Sequence, residues 1–290
     1  MNTQLSERIK ENSKAFSKGQ RLIAKYIDEY PDKVAFMTAA RLGVTVGVSE
    51  STVVRFATEI GYSGYPALQK AMQEMIKNKL NSVQRLEMTS NNIIPEKLLD
   101  AALDQDINTI KRTKESVDHE EFRAVVNALV PVKKVYILGA GSSLALATFL
   151  SHYLTLIFDT VHLLDVTGEA QIFQEMVKIG KDDAIISISF PRYSKRAVKA
   201  LKYAGDKGAV TIAITDTLIS PIAQCASYSL LARSDMVSFV DSLSGPLSLI
   251  NALIVAIAIE KKDEVAQTLK SIEDIWDEYG VYEKVDEKTN

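Results

Sequence analysis

The chain has 290 residues, a formal net charge of −3 and 47% hydrophobic residues, which is typical of a globular protein large enough for two domains. Its single cysteine, Cys225, excludes an intrachain disulfide framework and favours a reducing compartment. His119, His152 and His162 show no metal-ligand spacing, so we expect no metal site. We expect no other cofactor either. We expect no signal peptide, and Asn251–Ile259 is too short to span a bilayer. The sequence therefore predicts a cytoplasmic protein without a membrane partner.

The charge is unevenly distributed along the chain. Residues 1–78 contain 11 Lys and Arg against 8 Asp and Glu, which gives them a net charge of +3. Because the whole chain has a net charge of −3, the remaining residues have a net charge of −6. A mildly basic front and an acidic back are consistent with a nucleic-acid-binding domain joined to a domain of another kind.

The front of the chain contains a pattern of short helices. A helix with an apolar face at Leu22–Ile27 is expected to end at Pro31. Thr38 and Ser49 are suited to be the N-caps of two further helices, and Gly61 is suited to end the second of them. Two short helices joined by a glycine-containing turn are typical of a helix-turn-helix motif, and a plain helical hairpin is the alternative.

The second of these helices has a polar and an apolar side. Val53 and Val54, together with Phe56, Ala57 and Ile60, are expected to face inward. Ser51, Thr52 and Arg55 are expected to point outward from the half that meets base edges when such a helix lies in the major groove. Arginine binds guanine in a bidentate manner, and short hydroxyls contact bases or phosphates.

These residues also resemble a known family. Ser49, Thr52, Val53, Arg55 and Phe56, followed by Gly61, Gly64 and Tyr65, match the N-terminal pattern of RpiR-type transcription regulators. The resemblance implies binding to double-stranded DNA. The candidate DNA-binding residues are Thr38, Ser49, Ser51, Thr52, Arg55, Tyr62 and Tyr65.

A connecting region is predicted between the two halves. Asn78–Ile94 is polar and indicates a linker or a frayed helix end, after which Pro95 is expected to open a helix. A second helix is expected at about Asp118–Leu129. We therefore predict a DNA-binding domain at 1–78, a linker with connecting helices at 79–130, a sheet domain at 131–262 and a helical tail at 263–290.

Strand-like and helix-like runs alternate after Lys133. Alternation of this kind predicts right-handed crossovers and a doubly wound, mostly parallel, five-stranded α/β sheet behind the all-α front domain. The expected strands are Val135–Leu138, Thr160–Leu164, Ala184–Ile188, Ala209–Ile214 and Ser227–Leu231.

The loop after the first expected strand is the main candidate for ligand binding. Gly139 and Gly141 allow a close approach of the backbone, and Ser142 or Ser143 can cap the following helix. The start of a helix attracts anions, above all phosphate. Further polar groups follow two other strands, at Ser187–Ser194 and Thr215–Thr217, and the carboxyl ends of parallel strands gather ligands. The alternative is an ordinary strand-to-helix turn.

This second half resembles the sugar isomerase domain (SIS domain) that sugar-phosphate isomerases share with RpiR-type regulators. Gly139, Gly141 and Ser143 match the first loop of that family, and Thr215–Asp216 matches the third. In the second loop Ser189 matches and Ser194 keeps a hydroxyl, but Pro191 replaces a serine and Arg192 replaces a glycine. Arg192 is suited to contact a phosphate or carboxylate, or it is an exposed loop residue.

Three functions fit a domain of this kind. An isomerase needs a base, for which Glu169 and Glu175 are the candidates. A nicotinamide-binding loop would need a third glycine that the chain lacks, although Asp159 or Asp165 is near the expected acidic position. The resemblance instead implies a non-enzymatic regulator that senses a phosphorylated sugar or related anion. The candidate ligand-binding residues are Gly139, Gly141, Ser142, Ser143, Ser189, Arg192, Ser194, Asp216 and Glu169.

The resemblance also implies the partners. Regulators of this type are typically homodimers or homotetramers, and two-fold symmetry implies a pseudo-palindromic operator. The tail at Glu264–Asn290 has an apolar side at Ile272, Ile275, Trp276 and Tyr279, and it is expected to cover either the domain or a partner subunit.

Overall fold

A computed structural model of the chain describes residues 3–76, 82–92, 95–164, 168–235 and 239–282. The chain divides into two compact units between Pro95 and Glu96. This division lies between the domain boundaries predicted at residues 78 and 130. The helices expected between residues 95 and 130 accordingly belong to the second unit.

The first unit is helical over its described residues. Ser17 begins the second helix with a capping box, in which its side chain accepts the Gln20 N–H while the Gln20 side chain accepts the Ser17 N–H. The helices are α1 (Thr3–Asn12), α2 (Lys18–Glu29), α3 (Pro31–Val34), α4 (Ala39–Val46), α5 (Glu50–Glu59), α6 (Tyr65–Ile76) and α7 (Ser82–Asn92).

The core of this unit is formed by one apolar face from each of several helices. Ile23 of α2, Leu42 of α4, Phe56 of α5 and Leu68 of α6 are fully buried in one cluster. The prediction for Val54 is wrong, because this side chain is 40% exposed. It precedes Arg55 on the outer side of α5, since the turn of 3.6 residues already places Val53, Phe56 and Ala57 inward.

The polar stretch predicted as a linker or a frayed helix end contains a helix. Within Asn78–Ile94 the structure has α7, and its Arg85 is buried. Residues 77–81 and 93–94 lie outside the described residues. Polar composition alone did not separate a linker from a helix that buries a long cationic side chain.

The second unit alternates helices and strands. Pro95–Lys97 form a 3-10 helix that leads into α8, and Ala223–Cys225 form another before the last strand. The remaining elements are α8 (Leu98–Ser116), α9 (His119–Leu129), β1 (Lys134–Gly139), α10 (Ser143–Leu154), β2 (Thr160–Leu163), α11 (Glu169–Glu175), β3 (Asp183–Ile188), α12 (Lys195–Asp206), β4 (Val210–Thr215), β5 (Tyr228–Leu231), α13 (Ser244–Glu260) and α14 (Lys262–Tyr279).

The strands form one parallel sheet in the order β2-β1-β3-β4-β5. Gly139 at the end of β1 is paired with Ile188 at the end of β3, and Thr215 at the end of β4 is paired with Leu231 of β5. The predicted fold class is confirmed. All five expected strands are present, and each bound lies within one residue of the expected one.

Both faces of the sheet are covered. On one face, Val135 and Ile137 of β1 pack in a cluster with α9, α10 and α13, and on the other, Tyr136 and Leu138 pack in a cluster with α11 and α12. Burial on both faces explains the uninterrupted apolar run of β1, because a strand covered on one side only would alternate.

The C-terminal helices differ strongly in burial. α13 is apolar and buries Leu249, Ile250 and Leu253, whereas α14 buries only Val265 and leaves Ile275 52% exposed. Over the described residues the predicted apolar side of the tail is only partly covered, because Ile275 and Tyr279 are exposed whereas Ile272 and Trp276 are partly buried. Residues 283–290 lie outside the described residues. Among the described residues no single helix has the length and apolarity needed to cross a membrane, although α13 and α14, bent by 103°, meet those criteria as a pair.

Candidate functional site

The predicted functional residues lie in two regions, and the first is the turn between α4 and α5. Thr38 caps α4 by accepting the Arg41 N–H at 3.2 Å, as predicted. Gly47 ends α4 with φ +79°, a conformation that glycine adopts without strain. A Cβ at Gly43 would lie 2.8 Å from the Val48 carbonyl oxygen, so only glycine permits this approach of helix and turn. The two glycines fix the angle at which α5 leaves the turn.

The first turn of α5 presents hydroxyl groups to solvent. Ser49 caps the helix, and its Oγ lies 2.9 Å from Ser51 Oγ and 2.8 Å from Thr52 Oγ1. Ser49, Ser51 and Arg55 are exposed, and Thr52 is partly exposed. Hydroxyls and a guanidinium on one exposed helix surface are the groups that contact phosphates and base edges.

The two predicted tyrosines have different positions. Tyr62 is half-buried under the Arg8 guanidinium, which lies 4.8 Å from the ring centroid, and Arg8 Nη1 donates to the Gly61 carbonyl oxygen at 3.0 Å. Tyr65 is 3% exposed, and its hydroxyl donates to the Met37 carbonyl oxygen at 2.8 Å. Burial raises the pKa of Tyr65 to about 12. Tyr65 is therefore a core residue, and its proposed contact with DNA is withdrawn.

The second region is the edge of the sheet where β1 and β3 end. The strand order reverses direction at β1 and β3, because the chain continues to β2 on one side and to β4 on the other. In doubly wound sheets the crevice at such a switch point is the usual position of a ligand. The loops that follow β1, β3 and β4 meet at this edge, as the sequence predicted.

Gly139 and Gly141 have different roles in the loop after β1. A Cβ at Gly139 would lie 2.3 Å from the Ser143 carbonyl oxygen and 2.8 Å from Ala147 Cβ, so this glycine serves the packing of α10 on the sheet. Gly141 has φ +62° and open space around it, so here the loop turns and its backbone is accessible.

The serines of this loop do not cap α10 as expected. Ser142 occupies the N-cap position with helical angles (φ −60°, ψ −30°) and makes no capping hydrogen bond. Its exposed hydroxyl instead donates to Asp241 Oδ2 at 2.6 Å. Ser143 is 4% exposed, so the surface of the loop presents the hydroxyl of Ser142 and not that of Ser143.

The loop after β3 is held by its own serines. Ser189 is 5% exposed and its Oγ accepts the Ser194 N–H at 3.0 Å, while Ser194 Oγ accepts the Ala197 N–H at 3.4 Å and caps α12. Each hydroxyl keeps its proton for donation. Arg192 is exposed and has φ +73°, a conformation that costs a side-chain-bearing residue energy.

Tyr193 and Asp216 link the loops after β3 and β4. The Tyr193 hydroxyl donates to Asp216 Oδ1 at 2.8 Å, and Thr215 Oγ1 donates to the same oxygen at 3.3 Å. Burial, and secondly the hydrogen bond to Asp216, raises the pKa of Tyr193 well above its usual value. Tyr193 was not predictable from the sequence, because the residue is polar only at its tip and its partner is 23 positions away.

The acidic candidates lie elsewhere or are engaged. Glu169 accepts from Lys199 Nζ at 2.6 Å, and Glu175 Oε1 accepts from Gln171 Nε2 at 3.2 Å. Asp159 precedes β2 and is therefore at the amino end of the strands, opposite the glycine loop, where it cannot bind the ribose of a dinucleotide. Asp165 lies outside the described residues. Among the described residues, no His, Cys, Asp and Glu cluster is suited to hold a metal ion.

The geometry defines a class of protein: a helix-turn-helix unit followed by a doubly wound α/β unit with a polar switch-point crevice. Residues 3–79 match the helix-turn-helix domain of the rpiR family, and residues 128–256 match the SIS domain. The chain belongs to the RpiR family of transcriptional regulators that carry a SIS domain, so the predicted family is confirmed.

Individual relatives agree with this assignment. An uncharacterized HTH-type transcriptional regulator of Caldanaerobacter subterraneus is 25% identical over 92% of this chain and 95% of its own length. The sugar isomerase domain of an RpiR transcription factor from Sphaerobacter thermophilus is 27% identical, with a TM-score of 0.58 over 61% of this chain and 99% of that one. The NanR protein of Vibrio vulnificus, solved with ManNAc-6P, has the same fold, with 20% identity and a TM-score of 0.56 over 93% and 98% of the two chains. The names of the first two proteins, a transcriptional regulator and a transcription factor, agree with the prediction that the chain is not an enzyme.

Proposed function

We propose that this transcriptional regulator binds a sugar phosphate, or a related small anion, in the crevice between the loops after β1 and β3. In this proposal the protein is cytoplasmic, and the ligand changes the affinity with which its α5 helices bind a pseudo-palindromic operator. The observation that carries it is the position of exposed Ser142 and Arg192 on the two loops that flank the switch point. NanR of Vibrio vulnificus, which shares the fold, was solved with a sugar phosphate, and that supports this ligand class.

The crevice contains the groups that an anion requires. The backbone at Gly141 is open, Ser142 offers a hydroxyl at the start of α10, and Arg192 offers a guanidinium. Asp216, whose Oδ1 already accepts from Tyr193 and Thr215, is suited to accept sugar hydroxyls with its other oxygen. Glu169 is left out of this proposed site, because Lys199 binds its carboxylate.

On the DNA side we propose that Ser49, Ser51, Thr52 and Arg55 contact the operator, with Thr38 and Tyr62 near the phosphate backbone. Exposure of most of these side chains on or beside α5 supports the assignment. A homodimer or homotetramer would place two such helices on the two halves of a pseudo-palindrome.

The test uses the full chain and an operator selected from random DNA. Operator affinity is measured by fluorescence anisotropy with and without a panel that contains ManNAc-6P, other hexose and pentose phosphates, and the same sugars without phosphate. We expect at least one phosphorylated sugar to change the affinity by roughly 5- to 150-fold, and its unphosphorylated form to have no effect.

Ser142→Ala should reduce this response, and Thr155→Ala, which removes an exposed hydroxyl at the far end of α10, is the matched control. If none of the phosphorylated sugars alters operator affinity, or if both variants respond equally, the proposed ligand site is wrong.

A further inference from the structure

The segment between β5 and α13, here called the β5–α13 segment (residues 232–243), is attached to α8. The Arg233 N–H donates to Thr113 Oγ1 at 2.9 Å, and Arg112 forms an ion pair with Asp235. Closer to α13, Ser242 Oγ donates to Asp106 Oδ1 at 2.6 Å. The described residues of the segment therefore contact α8 at three positions along the helix.

The packing around these contacts is tight. A Cβ at Gly245 would lie 2.6 Å from both the Arg233 carbonyl oxygen and Thr113 Oγ1. Thr109 and Thr113 are buried on the side of α8 that meets α13. Because close-packed elements have little room to adjust, a displacement of the segment next to α13 must be met by a change at α8.

The same segment also contacts the proposed ligand site. Asp241, which immediately precedes Ser242, accepts the hydrogen bond from Ser142 at 2.6 Å, across 99 positions of sequence. A continuous series of contacts thus leads from the loop after β1, through Asp241 and Ser242, to Asp106 of α8.

A bound anion competes with this arrangement. A hydroxyl has one proton, so Ser142 cannot donate to Asp241 and to a phosphate oxygen at the same time. The Asp241 carboxylate beside the loop also repels an anion placed there. Binding of an anion at Ser142 and the Ser142–Asp241 hydrogen bond therefore exclude each other.

We propose that Asp241 is a positioning residue that holds Ser142 in the ligand-free state, and that anion binding displaces it and loosens the Ser242–Asp106 contact on α8. The ligand half of this inference rests on the proposed function. The division between the two units lies within the 3-10 helix Pro95–Lys97, which leads directly into α8. The change therefore reaches the helix that is covalently joined to the DNA-binding unit. A ligand shifts such an equilibrium only through its different affinity for the two states, and the competition for Ser142 provides that difference.

The first experiment measures binding of inorganic phosphate to the full chain by calorimetry at constant ionic strength. Asp241→Asn keeps the shape of the side chain and removes its charge, and we expect it to bind phosphate about ten-fold more tightly than the wild type. Asp159→Asn makes the same charge change at the opposite edge of the sheet and should leave phosphate affinity unchanged. A merely structural role for Asp241 would not tighten binding. Equal effects of the two variants, weaker binding by Asp241→Asn, or no phosphate binding by either would overturn the proposed competition between the anion and Asp241 for Ser142.

The second experiment needs no ligand. Amide hydrogen exchange is measured for peptides that cover α8 in the wild type, Ser142→Ala, Ser242→Ala and the double variant. We expect each single variant to speed exchange around Asp106 by roughly three-fold, and the double variant to add nothing, because both break the same series of contacts. Thr155→Ala is the control. Unchanged exchange in α8 of Ser142→Ala overturns the link to α8. If no sugar phosphate affects operator binding but exchange responds as expected, the proposed ligand fails while the link stands.

Discussion

The exposed surface of α5 and the carboxyl edge of the sheet both carry serine and arginine, but the two regions position them by different means. On α5 the partners of Ser49 are two and three residues away, at Ser51 and Thr52. At the sheet edge, Ser142 is bonded to a residue 99 positions away and Tyr193 to one 23 positions away. The helix surface is thus fixed by local sequence, whereas the crevice depends on the whole sheet unit. Substitutions in the crevice are therefore expected to affect stability, whereas substitution of an exposed side chain that does not cap α5, such as Arg55, should affect only binding.

The largest effect is expected at the end of β1. Gly139→Ala places a methyl group 2.3 Å from the Ser143 carbonyl oxygen, so either α10 or β1 must shift. We expect a loss of about 3 kcal/mol in the free energy of unfolding, measured by urea denaturation monitored through the sheet unit. Gly180→Ala is the matched control, because no atom lies within 4 Å of its Cβ and its φ is not in the left-handed region. Similar stabilities for the two variants would show that the crevice is not built on this close packing.

The next effect concerns the DNA surface. Arg55→Ala should weaken operator binding by about 1–3 kcal/mol and relax specificity at one position of the half-site, because an arginine that reads a guanine loses two hydrogen bonds. Its exposure predicts a change in the free energy of unfolding within about 0.5 kcal/mol. Lys178→Ala, an exposed lysine of the sheet unit, controls for the loss of one positive charge. Loss of stability in parallel with DNA affinity would mean that Arg55 is a structural residue.

The features that could be predicted from the sequence are those that depend on local contacts, and the features that could not are those that depend on distant ones. The caps at Thr38 and Ser49 and the end of α5 at Gly61 were predictable, because each depends on atoms within a few residues. The strands were predictable because burial on both faces requires continuous apolar runs. The Ser142–Asp241 and Tyr193–Asp216 contacts were not predictable, since strand order and loop path decide which distant side chains meet. Tyr65 was misassigned for a related reason: a tyrosine in a polar turn has the same sequence context whether its ring is in the core or in solvent.

The pH dependence of the free energy of unfolding tests whether the Tyr65 side chain lies in the core or at the surface. Tyr65→Phe removes the hydrogen bond to Met37 and should cost about 1 kcal/mol of unfolding free energy at pH 8. The pKa of Tyr65 is raised to about 12 in the folded state, so the neutral form is favoured by folding. This stabilisation is complete below the unfolded-state pKa of roughly 10 and is lost as the pH rises through the folded-state value.

The difference between wild type and Tyr65→Phe should therefore narrow by about 1 kcal/mol between pH 8 and pH 11, because the wild type alone loses this contribution. Urea unfolding at the two pH values measures it, and other tyrosines cancel because both proteins contain them. A difference that stays constant with pH would place the Tyr65 hydroxyl in solvent and restore it as a candidate for the DNA surface.

The smallest effect is expected at Arg192, where backbone conformation and side-chain charge meet in one residue. Its φ of +73° suits glycine, which has no Cβ to clash with the backbone. Arg192→Ala and Arg192→Gly both remove the guanidinium, but only the glycine variant also relieves the backbone, so it should be more stable than the alanine variant by about 1 kcal/mol. Both variants should lose the same part of the response to sugar phosphate, because both lack the cation. If the glycine variant kept the full response and the alanine variant did not, the backbone of this loop, and not the guanidinium, would be the group that binds the ligand.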